Sequence, residues 1–189
     1  MTSLLGTYHQ TAEDIAADMQ LVEAAKKDTA AFEALYDKYY LPIFRFIYNR
    51  IDDEMLSADI CSQVFYKAMK HISRFENKGL PYASYLYRIA RNELVSEAEK
   101  QKKQLIVSAQ TIEVDAVAEE IEFPKDHQKE LVKLLEQLKT AELELIEMKY
   151  FEKRSYREMS EILDVKEEVL KVRVFRIIRK LRKLASSNH

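Results

Sequence analysis

Apolar residues recur at three- and four-residue spacing from Ala16 to about Lys103, the period at which one face of an α-helix meets a core. Ala31, Phe32, Leu35, Tyr36 and Tyr39 form one stripe. Ile43, Phe44, Phe46 and Ile47 continue it beyond Pro42, whose ring and missing N–H predict a kink or a restart. A third helix carries Met55, Ile60, Val64, Phe65, Ala68, Met69 and Ile72. Ser73–Pro81 reads as a loop from Asn77, Gly79 and Pro81. A fourth helix runs from about Tyr82 to about Lys103, with Leu86, Ile89, Ala90 and Leu94 inward.

The period weakens between Gln104 and His127. Val107, Ile112, Val114 and Val117 make no clean stripe there, and Glu113, Asp115, Glu119, Glu120, Glu122 and Asp126 outweigh Lys125. The pattern predicts an acidic linker over 104–127 between domains at 16–103 and 128–185; its plainer role is that of a solvated spacer. From Gln128 helical spacing returns in Leu131, Leu134, Leu135 and Leu138, then in Leu143, Ile146 and Tyr150. Ser155-Tyr-Arg-Glu158 has the capping-box spacing and opens a short helix carrying Met159, Ile162 and Leu163. A turn at Asp164-Val-Lys166 follows, where Asp can take the left-handed conformation. A last helix buries Leu170, Val174, Ile177, Leu181 and Leu184. Short helix, tight turn and longer helix make a helix-turn-helix. The fold class expected is all-α, in two small helical domains.

Composition narrows the classes further. With 2 glycines and 3 prolines in 189 residues, the chain cannot supply the turns of a sandwich or barrel. Cys61 is the sole cysteine, so neither a disulfide framework nor a thiolate metal cluster is expected. No apolar run reaches the roughly 18 residues of a membrane span, and the N-terminus lacks a signal pattern. A cytoplasmic protein without membrane insertion is expected. The net charge of −2 averages segments of opposite sign, so the distribution matters more than the total.

Two segments carry candidate chemistry. Lys171, Arg173, Arg176, Arg179, Lys180, Arg182 and Lys183 follow one another in the last helix with no acid among them, opposite the apolar stripe. Such a face neutralises phosphates, although a basic face on an ordinary bundle helix is the plainer alternative. In a helix-turn-helix the start of the second helix reaches base edges, which here means Lys166, Glu167, Glu168, Val169, Lys171 and Val172. The second segment is the loop and helix from Arg74 onward. Phe75, Tyr82, Tyr85 and Tyr87 interleave with Arg74, Asn77, Lys78, Arg88, Arg91 and Asn92, the mixture of stacking faces and cations that single-stranded DNA requires. A core role suits Phe75 and Tyr87 more readily than Tyr82 and Tyr85.

Asp28-Thr-Ala-Ala-Phe-Glu-Ala-Leu-Tyr36, Asp59-Ile-Cys-Ser-Gln-Val-Phe65 and Tyr85-Leu-Tyr-Arg-Ile-Ala-Arg-Asn92 resemble region 2 of the extracytoplasmic-function (ECF, group IV) bacterial RNA polymerase sigma factors. Ser155-Tyr-Arg-Glu-Met-Ser-Glu-Ile-Leu163, with Arg173, Arg176 and Leu181 beyond it, is similar to their region 4. The resemblance implies that region 2 docks on the clamp of the largest polymerase subunit through Asp59, Gln63 and Phe65. It also implies that the loop from Arg74 to Tyr82 captures a flipped minus-ten base, with Arg88, Arg91 and Asn92 on the strand-opening helix. Region 4 reads the minus-35 duplex and touches the flap of the second-largest subunit, while family linkers thread toward the active-site cleft. An inhibitory anti-sigma partner is common in the family. Tyr85 stands where the family usually has Trp, and Lys166-Glu-Glu-Val169 replaces its usual Ser-x-Gly-Thr, so the promoter sequence does not carry over.

A conventional helix-turn-helix regulator, binding palindromic duplex as a dimer and ignoring polymerase, is the alternative; it has no need of the aromatic and cationic loop. A di-metal carboxylate enzyme needs Glu-x-x-His pairs. Ala68 and Pro124 stand three before His71 and His127, and the two glycines lie too far apart to cradle a phosphate, so neither an enzyme nor a cofactor is expected.

Overall fold

The computed structural model describes residues 11–101, 115–121 and 128–187. These form two compact units, 1–106 and 107–189, and no strand occurs among the described residues. In the first unit, α1 is Ala12–Lys27, α2 Glu33–Ile51, α3 Glu54–Lys70 and α4 Tyr82–Gln101. The starts of α1, of the 3-10 turn Thr29–Phe32 that leads into α2, and of α3 are each marked by a side chain that answers an orphan N–H. Thr11 and Asp14 form a capping box on α1, Asp28 accepts from Ala30 N ahead of α2, and Asp53 accepts from Leu56 N at the start of α3. The α2–α3 turn needs only Asp52, in the left-handed region at φ 55°, and Asp53, so the two helices pack as a hairpin. Phe32, Leu35, Tyr39, Ile43 and Ile47 join Ile60, Val64, Leu86, Ala90 and Leu94 in the core.

Two expectations change here, and at Pro42 one of the two expected outcomes is removed. α2 runs through Pro42 without restarting. Tyr39, Ile43, Phe46 and Ile47 are buried on either side of the proline, and their packing outweighs the one ladder bond it forfeits. Met55, placed by period in the third helix's apolar set, sits in the first turn of α3 and is 82% exposed. Ile89, expected inward, is only half-buried.

In the second unit, α5 is Asp115–Ile121, α6 Gln128–Leu135, α7 Thr140–Ile146, α8 Tyr156–Leu163 and α9 Glu167–Ser187. α5 lies inside the stretch expected to be an unpatterned linker. It is a helix instead, packing on α9 and α6 and burying Val117, Ala118 and Ile121. Seven residues are too few to display a period, and Glu119 and Glu120 dominate the composition on its exposed side. The rest of 104–127 falls outside the described residues. A π-turn, Glu147–Phe151, extends α7, closed by Glu152 N donating to Glu147 O at 3.0 Å. That extra residue shifts the apolar phase, so Met148 is buried and Tyr150 only half-buried. Beyond it Glu152 and Arg154 form a buried ion pair, with Lys153 between them at φ 51°.

Candidate nucleic-acid interface

The helix-turn-helix is built from α8 and α9. Ser155 and Glu158 form the predicted capping box: Glu158 N donates to Ser155 Oγ at 3.2 Å, and Ser155 N donates to the Glu158 carboxylate at 2.8 Å. Asp164 ends α8 in the left-handed region at φ 53°, ψ 43°, so the turn expected from its residue type is realised. Lys166 O then accepts from Val169 N and Leu170 N, which starts α9 abruptly and leaves 166–169 at its open end. Glu167 and Glu168 occupy the first turn, where carboxylates suit the helix dipole.

Leu170, Val174, Ile177, Ile178 and Leu181 are buried, so the opposite side of α9 faces solvent. Arg173, Arg176 and Arg179 are exposed there without an ion-pair partner among the described residues. The rest of the basic run is more engaged. Lys171 stands 3.9 Å from the Glu167 carboxylate and 5.9 Å from the centre of the Tyr156 ring. Lys180 pairs with Glu142 at 2.7 Å, and Arg182 donates to the Glu120 carbonyl at 2.7 Å. The cationic surface is therefore concentrated in the middle of α9, and its C-terminal part also holds α7 and α5. Phe175, which sequence reasoning passed over, is 59% exposed and continues an apolar strip with Val169 and Val172. Its signal was legible: position 175 is out of phase with the buried stripe. Valine and phenylalanine side chains among arginines suit thymine methyl groups in a major groove.

In the first unit the loop after α3 begins with the turn Ile72–Arg74 and bends at Gly79, φ 66°, whose N–H donates to Asn77 Oδ1 at 2.7 Å. Phe75, Tyr82 and Tyr85 form a triangle of rings, with centroids 5.1 Å apart for Phe75–Tyr82, 5.1 Å for Phe75–Tyr85 and 5.7 Å for Tyr82–Tyr85. Phe75 and Tyr85 are half-buried, each with an accessible part, and the Arg88 guanidinium lies 5.4 Å from the Tyr85 ring centre. Asn92 is exposed two turns beyond Tyr85 on the same side of α4, Arg91 is half-buried at its edge, and Arg74, Asn77 and Lys78 are exposed on the loop. Burial raises the Tyr85 hydroxyl pKa, and the Arg88 charge draws it partly back.

Tyr82 and Phe65 are corrections. Tyr82 is 0% exposed, its ring turned inward toward Tyr39 at 6.3 Å, so no base can stack on it. Burial drives its hydroxyl pKa far above the ordinary value. It stands at the first position of α4 with its ring in the core, where Phe75 packs against it. Phe65 is buried between α3 and α2, packed against Phe32 and Tyr36, and presents no face to a partner. Asp59 and Gln63 are both exposed on α3. Met55 and Tyr66 of the same helix are also exposed, the latter 58%, and period alone did not single either out as a surface group.

A helix-turn-helix with an exposed basic helix in one unit and a partly open aromatic and cationic platform in the other have the chemistry that suits paired and unpaired DNA strands. The model for Sigma-70 region 2 matches residues 35–104, and that for Sigma-70, region 4 matches 128–181. The ECF RNA polymerase sigma factor BldN of Streptomyces coelicolor is 26% identical over 176 residues, covering 90% of this chain and 67% of that protein. Among solved structures, CnrH in complex with the cytosolic domain of CnrY aligns with a TM-score of 0.58 at 19% identity, covering 92% of this chain and 99% of that one. The sigma factor RpoE in complex with the anti-sigma factor NepR from Bartonella quintana aligns with a TM-score of 0.53 at 18% identity, covering 84% and 98%. The chain belongs to the sigma-70 family and is an ECF sigma factor.

Proposed function

We propose that this sigma factor divides promoter recognition between its two units. Lys166, Glu167, Glu168, Val169, Lys171, Val172, Arg173 and Arg176 read the minus-35 duplex, assisted by Phe175. Phe75 and Tyr85 stack on bases drawn from the minus-ten element, while Arg74, Asn77, Lys78, Arg88, Arg91 and Asn92 hold the strand. Flipping a base costs a few kcal/mol, and a stacked base returns about 1–3 kcal/mol, so two aromatic faces with their cations are of the right size to offset opening. No covalent step is needed, and the protein acts without catalysis of its own in the cytoplasm, where its polymerase is. Asp59 and Gln63 dock on the largest-subunit clamp, and the second unit meets the flap of the second-largest subunit.

The observation that carries this reading is the half-buried pair Phe75 and Tyr85 with Arg88 beside it, which a duplex-only regulator does not need. The complex of RpoE with the anti-sigma factor NepR among the structural neighbours supports an inhibitory partner here too, one covering the exposed cations and the apolar strip of α9. The test is reconstitution. Core polymerase with the full chain should initiate from promoter fragments selected out of a random duplex library, and Asp59→Ala with Gln63→Ala should weaken core binding. A chain that binds duplex as a dimer and forms no complex with core polymerase would refute the assignment.

A further inference from the structure

Asp18, in the middle of α1, is 0% exposed. A buried carboxylate persists only where it is paired and hydrogen-bonded. One of its oxygens accepts from the Lys38 ammonium at 2.6 Å, and the other accepts from the Tyr39 hydroxyl. Both partners are on α2, so one acid clamps α1 to that helix. The chain of neighbours continues beyond it. The Tyr39 ring lies 6.3 Å from that of Tyr82, and Tyr82 packs on Phe75 and Tyr85. The buried Tyr82 hydroxyl has no hydrogen-bond partner among the described residues, so ring packing sets where that side chain stands. α1 also packs directly on Ile72–Arg74, the turn from which the loop departs, and on α4. A helix outside the stretch matched by region 2 therefore reaches the base-holding surface by two routes.

Apolar residues of similar volume could attach α1 at no cost in desolvation, and often do so with equal or greater stability. A hydrogen bond adds direction: it fixes how the Tyr39 ring is turned, and hence the wall against which Tyr82 rests. We propose that Asp18 is a positioning residue for strand opening, which through Tyr39 and Tyr82 sets the place of Phe75 and Tyr85 at the minus-ten element. This rests on the reading above that those two aromatics hold unpaired bases.

The experiment uses holoenzyme assembled from core polymerase and the full-length chain, either unaltered or carrying Asp18→Asn, Tyr39→Phe or both. Each is tested on a promoter fragment selected by the unaltered holoenzyme and labelled with 2-aminopurine in its minus-ten segment. Opening should fall about tenfold in each single variant, the scale of one charge-assisted hydrogen bond, and the double variant should be no worse than the weaker single one. Core affinity and minus-35 duplex binding should not change. Unchanged opening in both single variants overturns the proposal, as does a loss of opening that only follows a loss of core affinity. An unaltered holoenzyme that binds core but opens no promoter overturns the underlying reading, and the proposal with it.

Discussion

Tyr82 and Tyr85 are the same residue type three positions apart, yet one is core and the other half-open. Truncation should separate them. Tyr82→Ala removes a fully buried ring and should cost the first unit about 3–5 kcal/mol, seen as a lowered melting midpoint. Tyr85→Ala should leave the melt nearly intact and weaken holoenzyme binding to a single-stranded minus-ten oligonucleotide about tenfold. In the second unit, Glu152→Ala strips a buried partner from Arg154 and should cost about 3 kcal/mol by chemical denaturation. Cys61 has its thiol pushed up to about 12 by burial. It should therefore resist iodoacetamide at pH 8 in the folded chain and react once the chain is unfolded.

At the scale of elements, α9 carries the proposed duplex-reading face and also helps to build its unit. Its middle arginines face solvent, whereas Lys180 and Arg182 hold α7 and α5. Removing Arg173, Arg176 or Arg179 should each lower the salt slope of DNA binding by about 0.9 for every phosphate that the arginine neutralises, with no change in the melt. Ser155→Ala deletes the α8 cap and should cost about 1 kcal/mol of stability. α5 provides the sharpest contrast with a solvated spacer. Ile121→Ala should destabilise the second unit by about 2–4 kcal/mol, whereas the same change in a free linker would cost nothing.

For the whole molecule, a net charge of −2 conceals a division of labour. The residues proposed to grip paired DNA lie in one unit and those proposed to hold bases taken from the stack lie in the other, and the two sets share no element. Arg176→Ala and Tyr85→Ala should therefore add in free energy when promoter opening is measured singly and together. Phe75 and Tyr85, by contrast, pack ring against ring, so their double variant should fall short of the sum.

The all-α class, the helix-turn-helix with its cap at Ser155 and its left-handed Asp164, and the basic face of α9 were all determined by the sequence alone, whereas the α5 helix inside the acidic stretch was not. Each of the first three depends on local period, residue type or charge, which the linear chain displays directly. Which aromatic faces outward was decided only in three dimensions. Period places Tyr82 and Tyr85 on neighbouring faces of α4, but Tyr39, from a distant helix, supplies the wall that draws Tyr82 inward. Pro42 lies inside an unbroken helix and Met55 outside the core because packing partners far along the chain outweigh local preference. Asp18 shows this most clearly. An acid in an amphipathic helix reads as solvated surface until Lys38 and Tyr39 close over it.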